Sequence, residues 1–147
     1  MSLPQKKNLD TNVFQIRPCV SKMNLLFVVV ALSSNHQTAS ALRLSTNLLN
    51  VEPYDPKLLQ WHIALLVESD KSIELFKISH RLININPEDW HGWYAAGCYY
   101  LSIRKFEKAA ELLRKSLTKE PSAGLAYLAL GHAFSSEKEH DQENFGN

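Results

Sequence analysis

The sequence predicts an all-α, right-handed solenoid of about three antiparallel helix pairs followed by one unpaired helix. Three observations carry that prediction. Pro53, Pro87 and Pro121 stand 34 residues apart twice over. The same ruler aligns Leu25, Leu59, Trp93 and Tyr127, then Val29, Ile63, Gly97 and Gly131, then Leu32, Leu66, Tyr100 and Phe134. In the second half of each unit it aligns Ala41, Leu75 and Ala109, then Ser45, Ser79 and Leu113, then Leu48, Leu82 and Ser116. A period of 34 with two apolar faces of helical spacing is the signature of a stacked helix–turn–helix repeat.

Each element follows from that register. Residues 1–21 carry no periodicity and are predicted to be a flexible tail. The repeats then occupy 22–142 as units 22–55, 56–89, 90–123 and a partial 124–142, with 143–147 as a second tail. Helix pairs are expected at 23–34 with 38–50, at 57–67 with 71–84, and at 90–102 with 105–119. Asp55-Pro56 and Pro87-Glu88 supply start signals, since proline and acidic residues favour a helix N-terminus. The third unit fits best. Trp93, Gly97 and Tyr100 share one face of its first helix, and Gly97 lets the second helix approach. Ala109 is small for the same reason on the facing helix, and Pro121 stops that helix. Large, small, aromatic, Ala and Pro at these offsets form the tetratricopeptide pattern. Leu59, Trp93, Gly97, Tyr100, Ala109, Pro121, Tyr127, Gly131 and Phe134 are its expected packing positions.

A last helix is expected at about 123–136, with no partner after it. Leu125, Tyr127, Leu130 and Phe134 on that helix expect a cover, and each large side chain left wet forgoes roughly 1.5–3 kcal/mol. Terminal repeats ordinarily have a polar outer face. The prediction is a chain that is marginally stable alone, or a piece of a longer array.

Composition excludes other classes. With 147 residues the chain suits one domain or a short repeat array. Sixteen Lys and Arg against fifteen Asp and Glu leave a net charge of +1, with no electrostatic case for nucleic acid or an anionic membrane as partner. The longest apolar run, 25–32, is too short to cross a bilayer. Cys19 and Cys98 suggest neither a disulfide framework nor a CxxC zinc site, and point to a reducing compartment.

Beyond the generic pattern, four stretches resemble one family. They are Trp61-His62-Ile63 through Val67-Glu68, then Glu74-Leu75-Phe76 with Ser79-His80-Arg81-Leu82, then Trp93-Tyr94-Ala95-Ala96-Gly97-Cys98-Tyr99-Tyr100-Leu101. The fourth is Gly131-His132-Ala133-Phe134 with Glu137 and Glu139-His140-Asp141-Gln142. Across about 38–142, and more weakly from 23, they resemble an internal fragment of the tetratricopeptide-repeat subunit six of the anaphase-promoting complex, or cyclosome. The resemblance implies a noncatalytic scaffold in a ubiquitin ligase of the cell cycle, acting in the nucleus and cytoplasm. It implies other cyclosome subunits as partners. Family members form a homodimer and enclose a small partner subunit, on surfaces largely outside the matched region. A generic peptide-binding, cochaperone-like adaptor is the rival reading.

No catalytic, cofactor or metal residues are assigned. His132 and His140 lie two helical turns apart, but no Cys or carboxylate completes a tetrahedral set. Cys98 sits inside a helix with nothing nearby in sequence to lower its pKa, so a packed or groove-facing thiol is the better reading than a nucleophile. The concave face of such an array is lined mainly by the first helix of each pair. The register places Lys57, Gln60, His91, Tyr94, Cys98, Leu101, Leu128, His132 and Ser135 there. A carboxylate clamp needs converging Lys, Arg and Asn. These positions are mainly apolar, aromatic or weakly polar, and suit an extended or helical apolar segment instead.

Overall fold

The computed structural model describes residues 28–31 and 34–146. Residues 28–31 are helical, with Val29 fully buried. Six helices follow: α1 (Thr38–Val51), α2 (Pro56–Glu68), α3 (Ser72–Ile85), α4 (Trp90–Ser102), α5 (Phe106–Lys119) and α6 (Gly124–Phe145). The pairs α2–α3 and α4–α5 match the expected spans to within a residue or two. The predicted tail at 1–21, Cys19 and part of the helix expected at 23–34 lie outside the described residues.

The chain reverses direction in the same way at each pair. Among the described residues the non-glycine positions of positive φ are His36, Asp70 and Arg104, at 61°, 55° and 62°, and they too are 34 residues apart. After α2, the Asp70 amide donates to the Val67 carbonyl and the Lys71 amide to that of Leu66; after α4, Arg104 donates to Leu101 and Lys105 to Tyr100. This pair of closing bonds is a Schellman cap, which satisfies the last carbonyls of a helix and turns the chain back. Asp55 caps α2, its carboxylate accepting from the Leu58 amide at 2.9 Å, with Pro56 just inside the helix. Asp89 caps α4 by accepting from the His91 amide at 3.1 Å.

Successive first helices α2, α4 and α6 touch one another and form an inner row; α1, α3 and α5 lie outside it. Ile63, Leu65, Leu75 and Leu113 are among the largest fully buried side chains. Within the third unit α4 and α5 come close because Gly97 leaves room for Leu113. At the equivalent position of the second unit stands Ile63, and the α2 and α3 backbones approach each other much less. Between units, Gly92 sits against Leu82 and Ile83 of α3. Lys119 at the end of α5 pairs with Glu88 before α4 at 3.0 Å.

The last helix departs from the expectation. It was expected to end near 136 and runs on to Phe145, so residues 143–145 of the expected tail are helical. The fourth equivalent of His36, Asp70 and Arg104 is Lys138, which lies within this helix instead of reversing the chain. The extension rests on α5 through His140, whose ring meets Phe106 edge-on at 6.1 Å.

Candidate functional site

The inner row was expected to present a continuous groove, and the described residues correct that picture at its centre. His91, Tyr94 and Cys98 are only 3%, 4% and 2% exposed. They are buried because α2 and α4 close on each other, and a helical register gives the direction of a side chain but not the distance to the next helix. His91 ties the two units together. Its Nε2 lies 2.9 Å from the Pro56 carbonyl oxygen of α2, and its Nδ1 lies 2.8 Å from the Asp89 carboxylate. Trp90 stacks on the His91 ring at 4.0 Å and leans on Tyr94 at 5.6 Å.

Tyr94 and Cys98, one turn apart, are in hydrogen-bonding contact. Burial pushes the Cys98 thiol up to about 12, and the bond to Tyr94 offsets only part of that. Burial likewise raises the Tyr94 phenol well above its ordinary value. A thiol so placed stays protonated at neutral pH and has no path to a substrate. The remaining predicted groove residues keep solvent contact: Lys57, Leu128, His132 and Ser135 are exposed, and Gln60 and Leu101 are half-buried.

The packing positions divide in the same way. Leu59, Gly97 and Ala109 are buried. Trp93 and Tyr100 are half-buried; the Trp93 indole donates to the Pro87 carbonyl at 2.7 Å while the Lys115 ammonium lies 3.9 Å over its ring. Pro121 is exposed in the turn before α6. Tyr127 and Phe134 are 54% and 43% exposed, and a Cβ built on Gly131 meets nothing within 4 Å. Among the described residues no helix covers Gly131.

Two features escaped the sequence reading. Gly92 is a tighter contact between units than its neighbours suggest, since a Cβ there would stand 2.8 Å from Ile83 Cγ1 and 3.0 Å from the Ile83 backbone nitrogen. Its register equivalents Leu58 and Ala126 are buried too, so the 34-residue ruler laid one residue earlier than Leu59 would have found this line. The second is His62 on α2. Ser45 donates its hydroxyl to the Leu42 carbonyl and approaches His62 Nδ1 at 2.7 Å, so the ring donates through Nδ1. Burial, with the Arg81 charge adding to it, lowers His62 to about 4. A cavity of about 250 Å³ opens beside it between α1, α2 and α3, bordered by Asn50, Lys77 and Arg81 among others.

Among the described residues no three His, Cys, Asp or Glu side chains gather as a metal would require, and no helix is long and apolar enough to cross a membrane. The arrangement is one of packed rods with exposed ends, chemically suited to holding protein surfaces at fixed spacing.

No protein-family model matches the chain. Curated relatives do. The chain is 38% identical over 122 residues to the mouse cell division cycle protein 16 homolog and 39% identical over 122 residues to the human one, each alignment covering 80% of this chain and 20% of the relative. It is 37% identical over 101 residues to the fission-yeast anaphase-promoting complex subunit cut9, covering 69% of this chain and 15% of that protein. The crystal structure of the APC/C hetero-tetramer Cut9-Hcn1 superposes with a TM-score of 0.66 at 35% identity, over 71% of this chain and 20% of that one. The chain thus spans about a fifth of the length of the curated relatives it matches. Its fold is a tetratricopeptide solenoid, as the 34-residue register predicts.

Proposed function

We propose, from the premise that these repeats are homologous to a portion of the tetratricopeptide subunit six of the anaphase-promoting complex, that the chain is a noncatalytic scaffold module. It holds other subunits of that ubiquitin ligase at fixed spacing, in cell-cycle-regulated protein ubiquitination, in the nucleus and cytoplasm. One observation carries the reading: identity of 38–39% runs through 122 residues. The geometry supports it, because the inner row spends His91, Tyr94 and Cys98 on joining one unit to the next. Lacking a converging set of Lys, Arg and Asn, that row offers no clamp for a peptide carboxylate.

The test is affinity purification of the tagged chain from dividing cells, with identification of what copurifies. Recovery of several cyclosome subunits is the expected result. Recovery of chaperones alone, or of no complex at all, would refute the reading.

A further inference from the structure

Between the first and second units the array carries a polar cleft that the repeat itself does not call for. The cavity of about 250 Å³ has Asn50 of α1 on one wall and Glu74, Lys77 and Arg81 of α3 on the other, with His62 of α2 between them at 8% exposure. Its walls are three consecutive described helices. In a solenoid each repeat meets only its neighbours, so further repeats at either end would stack beyond these helices and not over the cleft. At the register-equivalent places of the third unit, Ala96, Glu111 and Lys115 stand for His62, Lys77 and Arg81. There Glu111 pairs with Lys108 at 3.2 Å, and Lys115 lies over the Trp93 ring. Lys77 and Arg81, one turn apart, have no ion-pair partner among the described residues.

His62 sets the chemistry inside the cleft. Ser45 donates its hydroxyl to the Leu42 carbonyl, so its oxygen accepts from His62 Nδ1 at 2.7 Å, which leaves the lone pair of a neutral imidazole on Nε2. No protein group among the described residues bonds Nε2, and the atom is not sealed off from the opening. Burial and the Arg81 charge keep the ring neutral near pH 7. The charged groups bordering the cleft with it are Glu74, Lys77 and Arg81, and α1 adds only Thr46, Leu49 and Asn50. An unpaired, buried acceptor beside two unpaired cations calls for a ligand that is anionic and still has a proton to donate. A carboxylate only accepts, and would set its lone pairs against Nε2. A phosphate monoester has a second pKa of about 6, so it can offer anionic oxygens and an O–H together.

We propose that this cleft binds a phosphate monoester group, its anionic oxygens on Lys77, Arg81 and the Asn50 amide and its remaining proton shared with His62 Nε2. At about 250 Å³ the cleft falls below the roughly 300–1,000 Å³ of sites that hold drug-sized molecules. It therefore takes the group itself, on a protein side chain or as the free ion. The inference is independent of the scaffold reading, and copurification does not bear on it.

The test titrates the isotope-labelled full chain with N-acetyl-phosphoserine amide, inorganic phosphate and sulfate, following the magnetic resonance signals of the His62 ring and the Arg81 side chain. Saturable shifts with both phosphates are expected. Sulfate has the same shape but no proton at neutral pH, and is expected to bind about tenfold more weakly or worse, the scale of one unmade hydrogen bond to a charged group. Arg81→Gln, on an exposed position, is expected to weaken phosphate binding by about tenfold, and Glu74→Gln to strengthen it. His62→Ala places in α2 the residue that the next unit carries there, and is expected to abolish the preference for phosphate over sulfate; circular dichroism verifies the fold of each variant. Tighter binding of the ester assigns the cleft to a phosphorylated side chain, and tighter binding of inorganic phosphate assigns it to the free ion. Absence of a saturable shift at His62, equal affinity for sulfate, or binding unchanged by Arg81→Gln overturns the proposal.

Discussion

Gly97→Ala and Gly131→Ala place one methyl group at register-equivalent positions of two helices, and the structure assigns them opposite signs. At Gly97 the new carbon would lie 2.6 Å from Leu113 Cγ and 2.7 Å from Leu113 Cδ2. Carbon atoms settle at roughly 3.5–4.0 Å, so the overlap is about 1 Å. Leu113 is fully buried, and the contact falls on its branch carbon as well as on a methyl, so the whole side chain must shift. Overpacking of this kind costs about 1–3 kcal/mol, against about 1 kcal/mol gained by replacing glycine inside a helix. Gly97→Ala is therefore expected to destabilise the chain by about 1–2 kcal/mol. At Gly131 only the helix gain remains, and the same change is expected to stabilise by about 0.5–1 kcal/mol. Urea denaturation followed by circular dichroism measures both. A Gly97→Ala/Leu113→Ala double mutant adds a check, because Leu113→Ala is expected to cost less in the Gly97→Ala background than alone. If both glycine substitutions move stability in the same direction by the same amount, the close approach of α4 and α5 is wrong.

Gly92→Ala is expected to destabilise by about 2 kcal/mol or more, because its Cβ would press on the Ile83 backbone nitrogen as well as on side chains, and backbone yields less readily; thermal unfolding reads it. Asp55→Ala is expected to cost about 1 kcal/mol through loss of the α2 cap, measured in the same way. His62 supplies a pH dependence. Its folded value of about 4 lies below the ordinary 6.5, so the unfolded chain binds the extra proton and stability falls as pH drops from 6.5 toward 4. The loss is about 2 kcal/mol by pH 5 relative to neutral, and His62→Gln is expected to flatten that slope; a variant with an unchanged slope would show that His62 is not its source.

Where an amino-acid type itself marks the geometry, the sequence was readable. Three prolines and the large–small–large faces sufficed for the repeat, the pairing and the Gly97 contact. The end of α6 was not readable, because the reversals at Asp70 and Arg104 use neither glycine nor proline and Lys138 differs from them in nothing a composition reveals. Gly131 reads like Gly97, yet a small residue marks a close contact only if a second helix arrives. The groove assignments of His91, Tyr94 and Cys98 failed for a related reason: which way a side chain points is set locally, while how far away the next helix lies is set by contacts between helices, such as that of His91 with the Pro56 carbonyl of α2. His62 was seen only as part of a family resemblance, since its burial depends on Ser45 of a different helix.

The unbroken run of α6 has a consequence for how the molecule breathes. Up to Ala133 its inward side chains are clamped beneath α5, whereas every residue from Lys138 to Gly146 is exposed. Amides within a single geometric rod will then trade their hydrogens for deuterium at very different speeds, slowly near Ala126 and Ala129 and fast toward Phe145. Continuous in shape, the rod is divided in mechanical strength, and its exposed half melts before its clamped half.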